Sequence, residues 1–190
     1  MDEKRMQTSS TAGLLRAMEQ HEHADEDGPR GRVLQFVTFT IGDDEYAVDI
    51  NTVREIKAWS EPTMLPNQPT HMLGVLNLRG AIVPIFDLRC RFNQGMTEPT
   101  KMHVNIILAV GERFVGILVD TVSDILSVDE TEIRPAPRAE RVVDQNYLVG
   151  LVTVESRMVV ILDTSKLFGE SEIEAAESAG ELPARAGSGT

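Results

Sequence analysis

The chain has 190 residues, 42% hydrophobic and 25% charged, enough for one domain or for two small barrels sharing a core. Its net charge of −12 argues against recognition of a phosphate backbone, which needs clustered Lys and Arg, and opposes adsorption to anionic lipid. The single cysteine, Cys90, rules out an intrachain disulfide and fits a reducing cytosol; no apolar run approaches the roughly 20 residues of a membrane span, and MDEKRMQTSS has no signal-peptide core.

Residues 1–32 are polar, carry the acidic knot HEHADEDGPRGR, and read as a flexible N-terminal extension with at most a helical turn or two at Leu14 to Met18. From Val33 the character changes. Val33, Val37, Phe39 and Ile41 share one face of a period-two pattern, Gly42-Asp43-Asp44 supplies turn chemistry, and Tyr46, Val48 and Ile50 resume the alternation. Further apolar runs follow at 72–78, 81–86, 104–110, 114–119, 147–154 and 158–162, nearly all short, β-branched and bounded by Gly, Pro, Asp or Asn. This spacing predicts an all-β domain over 33–169, and the lack of a long 3.6-residue period argues against βαβ units. From Glu170 the chain carries five acidic residues and one basic, and 170–190 reads as an acidic, flexible tail whose start can be helical.

The middle contains an internal repeat. Shifted by 69 residues, Ala47 to Ile56 lies over Gly116 to Ile125, and both copies end Thr-Val-x-acid-Ile. Shifted by 76, MLGVLNLRGAIVPIFD (72–87) lies over LVGLVTVESRMVVILD (148–163), so that Gly74 meets Gly150 and Asp87 meets Asp163. Two similar subdomains are expected, about 33–100 and 101–169, with strands of one half completing the other. At the hairpin turn the second copy has Glu155-Ser156 where the first has Arg79-Gly80. A charge that the scaffold does not require in both copies is a candidate for function in one of them.

NLRG, read with GDDEYAVDINTVREI upstream and GILVDTVSDIL and IRPAP downstream, resembles the bacterial chemotaxis coupling family, CheW, from about Phe36 to Phe168 and with the motifs in family order. The resemblance implies two five-stranded SH3-like barrels with a hydrophobic seam and groove between them. It implies a non-enzymatic cytoplasmic adaptor that joins chemoreceptor cytoplasmic tips to the regulatory domain of the histidine kinase CheA, in arrays that include further copies of the family, with neither cofactor nor direct membrane insertion. Carried over by motif, the receptor-binding positions are Val53, Glu55, Gly74, Asn77, Leu78, Arg79, Gly80 and Val104, with Glu55 and Arg79 pairing beside the receptor groove. Gly116, Ile125 and Gly150 match positions sensitive to change, with a kinase-coupling or structural role left open. The alternative within the same superfamily is the adaptor module of another chemosensory pathway or of a coupling-plus-receiver protein; the absence of βα alternation after residue 169 disfavours the latter.

Enzymatic readings find little footing. His71 and His103 are isolated and lack zinc-ligand spacing. Cys90 lies between Arg89 and Arg91, which favour a thiolate, but has no convincing histidine partner and reads as a packed or idle thiol. Asp87 and Asp163 recur at matching repeat positions and read as turn formers at strand ends. Trp59 is expected to be partly buried.

Overall fold

The computed structural model describes residues 31–135 and 145–181. The expected N-terminal extension lies outside them but for its last two residues. Ten strands carry the fold: β1 Val33–Ile41, β2 Asp44–Asp49, β3 Val53–Ala58, β4 Met72–Leu78, β5 Ala81–Asp87, β6 Val104–Val110, β7 Arg113–Val119, β8 Thr121–Asp129, β9 Leu148–Val154 and β10 Arg157–Leu162. Three helices join them: α1 Leu88–Arg91, α2 Thr164–Leu167 and α3 Glu170–Glu181.

The strands form two five-stranded sheets, in the orders β8-β1-β2-β10-β9 and β3-β6-β7-β5-β4. The sheets do not divide near residue 100. Each combines the first two strands of one sequence half, β1 and β2 or β6 and β7, with the last three of the other, so the halves are exchanged. Under the repeat, β1 to β5 correspond to β6 to β10, and the second sheet order then becomes the first. The register follows suit. Val37 lies opposite Ile125 as Ile106 lies opposite Ile56, and Ile161 opposite Ala47 as Ile85 opposite Gly116. The same bridge recurs outside the strands, Thr63 with Val75 and Arg134 with Leu151.

The largest apolar cluster lies in the seam. Phe39, Ile41, Tyr46 and Val48 from the first sheet meet Phe86, Ile106, Leu108 and Ile117 from the second, with Leu167, Phe168, Ile173 and Ala176 added by α2 and α3 and the segment between and within them. The opposite face of each sheet has a smaller cluster, around Phe36, Val159 and Ile161 in the first and around Val83, Ile85 and Ile107 in the second. Alternation explains the division, since Phe36 and Val37, adjacent in β1, point to different clusters.

Asp87 and Asp163 cap the short helices that follow their strands: their carboxylates accept from Cys90 N at 3.2 Å and from Ser165 N at 3.1 Å. Asp87 is fully buried and also accepts from Thr97 N at 2.7 Å and Thr97 Oγ1 at 2.8 Å. The expected helical start of the tail is present but docked rather than flexible, and residues 182–190 lie outside the described ones. The segment from Glu170 is a docked twelve-residue helix through Glu181, with Ile173 and Ala176 buried. Those two residues, three apart, form a short apolar stripe that the surrounding glutamates hide in composition.

Candidate functional site

The β4–β5 hairpin presents the site. Leu78 pairs with Ala81 across a two-residue turn. Arg79 and Gly80 both sit at positive φ, 56° and 93°, the signature of a type I′ turn that matches strand twist. Gly80 meets this demand without a Cβ; Arg79 meets it with one. Asn77 locks the turn, its Oδ1 accepting from Gly80 N at 2.9 Å. In the equivalent hairpin Glu155 and Ser156 sit at 47° and 70°. The same turn is thus built with the opposite charge, and the scaffold does not select the arginine.

The Arg79 side chain is 88% exposed and its Nη2 lies 3.8 Å from Glu55 Oε2, charge contact without a hydrogen bond. The guanidinium therefore keeps its fork of donors for a partner. It edges an open groove of about 420 Å³ lined by Arg54, Glu55, Leu78, Ala81, Val83, Ile107 and Phe114. One rung of the sheet runs beneath it: Glu55 opposite Ile107, Ile107 opposite Gly116, Gly116 opposite Ile85, Ile85 opposite Gly74. Gly116 makes room for the floor, because a Cβ there would lie 2.3 Å from Ile85 Cδ1. Gly74, at φ 136°, lets the Thr63 carbonyl cross the strand, since a Cβ would stand 2.3 Å from that oxygen.

The structure therefore brings Glu55, Leu78 and Arg79 together at the groove, with Asn77 and Gly80 holding the turn and Gly74 the end of the rung. It separates Val53 and Val104 from them. Both pack against the main core in the seam and neither lines the groove. A bulge is the reason. Val53 lies opposite Leu108 and Glu55 opposite Ile107, so two residues two apart on β3 face neighbours one apart on β6 and point to opposite sides. Gly150 and Ile125 belong to the first sheet. Gly150 sits under the Arg134 carbonyl, 2.7 Å from where a Cβ would be, as Gly74 does under Thr63. Ile125 is exposed on the edge strand β8.

Sequence reasoning missed Ile107 and Phe114. Phe114 is a half-exposed aromatic on β7, and the only available hint was a large apolar residue at the start of an otherwise buried strand. The apolar floor continues past the groove through Leu76 and Leu73 to Trp59, which is partly buried and lines a second hollow with Met64, Met72 and Met96.

Elsewhere, polar clusters are tied into the scaffold. Asp120 bridges Arg89 at 2.6 Å and Gly42 N at 2.7 Å, joining α1 to the β1–β2 turn. His103 stands 3.5 Å from Asp120 and takes hydrogen bonds from Thr100 on its other nitrogen. Burial, and then the Asp87 carboxylate, push the Cys90 thiol up in pKa despite its flanking arginines.

An exposed guanidinium over an apolar trough suits it to gripping a protein surface, with the charge setting register, and two intertwined β-sheets present it as a rigid frame; the chain is an all-β binding module. Residues 35–172 match the family model of the CheW-like domain, and the chain belongs to the CheW-like family of chemotaxis scaffolds. It is 42% identical over 142 residues to the probable chemotaxis protein CheW of Rhizobium etli, covering 75% of this chain and 92% of that protein. It is 42% identical over 139 residues to the chemotaxis protein CheW of Klebsiella aerogenes, covering 73% and 84%. The crystal structure of the scaffolding protein TtCheW from Thermoanaerobacter tengcongensis resembles the fold with a TM-score of 0.67 at 28% identity, over 80% of this chain and 96% of that one.

Proposed function

We propose that this chain is a non-catalytic cytoplasmic coupler whose second sheet receives a helix of a chemoreceptor's cytoplasmic tip, while other surfaces engage the regulatory domain of the histidine kinase CheA and further copies of the family. The observation that carries the receptor contact is an exposed Arg79 guanidinium, in charge contact with Glu55 but not hydrogen-bonded to it, at the rim of an apolar groove. Leu78, Val83, Ile107 and Phe114 offer the surface that an amphipathic helix buries. Arg79 can bind a carboxylate on that helix at two points. Glu55, 3.8 Å away, restricts the guanidinium before the partner arrives, so less side-chain entropy is lost on binding. Val53, Val104 and Gly116 support the groove from within the sheet rather than touching the partner. Among the described residues no helix is long and apolar enough to cross a membrane, and placement at the receptor array would come through protein contacts.

The test is reconstitution. A soluble receptor-tip fragment, the kinase regulatory domain and this chain should co-elute as a ternary complex, and receptor-dependent kinase activation should require the chain. Arg79→Glu should abolish the receptor contact while leaving the kinase contact in place. A chain that ignores both partners overturns the reading.

A further inference from the structure

Helix α3 lies behind the hairpin that carries Arg79. Leu76, Leu78, Ala81 and Val83 face the groove side, whereas Val75 and Ile82 belong to the cluster that also holds Ile173 and Ala176. At the far end of α3 the helix backbone comes close enough that a Cβ on Gly180 would stand 2.7 Å from Ile82 Cγ2 and 3.3 Å from Val75 Cγ2. Ile82 is the strand partner of Asn77, and Asn77 closes the Arg79-Gly80 turn. Contact therefore runs from Gly180 through Ile82 and Asn77 to the base of Arg79.

Charge holds the helix in register. Glu172 meets His71 and lies 3.3 Å from Arg91; Arg113 donates to Glu174 at 2.6 Å and stands 3.4 Å from Glu177. Arg113 precedes Phe114, the aromatic that β7 contributes to the groove. The hairpin and β7 are thus tied to one helix, and that helix runs on to Glu181, past residue 172 where the family match ends.

We infer that α3 is a positioning element for partner binding, a rear brace that fixes the tilt of the β4–β5 hairpin and thereby the aim of Arg79. This rests on the groove reading above. A hairpin whose rear face is uncovered can twist, and a guanidinium at its tip sweeps with it. Covering that face limits the twist before a partner reaches the open groove.

The experiment uses the full chain with Ile173→Asp, which unseats the helix, and Gly180→Val, which wedges only its last turn. Amide hydrogen exchange at residues 76–82 should quicken by about tenfold in Ile173→Asp, as expected for local opening. Affinity for a soluble two-helix receptor-tip fragment should fall by about tenfold well below the melting temperature, and Gly180→Val should show the same pattern more weakly. In an Arg79→Ala background, Ile173→Asp should cost less than about twofold more, because a brace that acts through Arg79 has nothing left to aim. If Ile173→Asp does not fold, Gly180→Val carries the measurement. Unchanged exchange, unchanged affinity, or fully additive losses with Arg79→Ala overturn the brace. A wild-type chain that does not bind the fragment instead overturns the groove reading, and the exchange data then decide the brace alone.

Discussion

Arg79 contributes little to the fold beyond filling a left-handed turn position, and its exposed charge is available to a partner. Its ion pair with Glu55 is solvent-exposed, and such pairs are worth about 0–1 kcal/mol. Arg79→Ala should therefore melt close to wild type, whereas receptor binding should weaken by about 2 kcal/mol or more, as truncation of an interfacial arginine does. A thermal melt beside a receptor pull-down separates the two, and a collapsed melt would make Arg79 structural. Tyr46 is its opposite, a residue wholly committed to the core. Burial first, and the Asp44 carboxylate second, push its phenol up to about 12, against a lowering hydrogen bond from Gln94. Its folded pKa thus lies above the ordinary value of about 10, so its contribution to stability is complete below pH ~10 and is lost as pH rises through ~12. In a Tyr147→Phe background, phenolate absorbance should titrate with a midpoint near 12; a midpoint near 10 would show that the ring is not sealed.

At the scale of elements, register decides which side chains meet. The β3 bulge turns Val53 inward and Glu55 outward, and strict alternation would have placed both on one face. The loop before β4 is tied down by the bridge between Thr63 and Val75, and only a glycine at position 74 leaves room for it. Gly74→Ala combines positive φ with a backbone clash and should cost about 2–4 kcal/mol of stability, read as a drop in urea midpoint. Its effect on partner binding should follow from displacement of the hairpin. A loss too small to move the midpoint would mean that the 59–71 loop yields freely.

For the whole molecule, the strand exchange makes the two halves interdependent. A fragment ending at residue 100 would hold β1 to β5, two strands of one sheet and three of the other, with the seam between them open. Fragments cut there should be unfolded alone by circular dichroism and should regain β structure when mixed. Independent folding of either would contradict the exchanged topology. The repeat also gives two related hairpins of opposite charge. In the first sheet Glu155 takes the place of Arg79, and Arg157 beyond the turn lies 3.2 Å from Glu45 and 4.0 Å from Glu155. Of the two equivalent turns, only the one between β4 and β5 carries a guanidinium.

The strands, the hairpin turns and the repeat could all be read from the chain, because alternation, turn chemistry and recurring glycines are local. NLRG and its neighbours likewise pointed to the family. Local pattern says which face of a strand is apolar; it does not say what covers that face. The exchange of strands, the bulge that parts Val53 from Glu55, the meeting of Ile107 and Phe114 at one groove, and the burial of Ile173 and Ala176 all depend on partners far away in sequence. Those pairings are settled by burying the two sheets against each other, and only the folded chain discloses them.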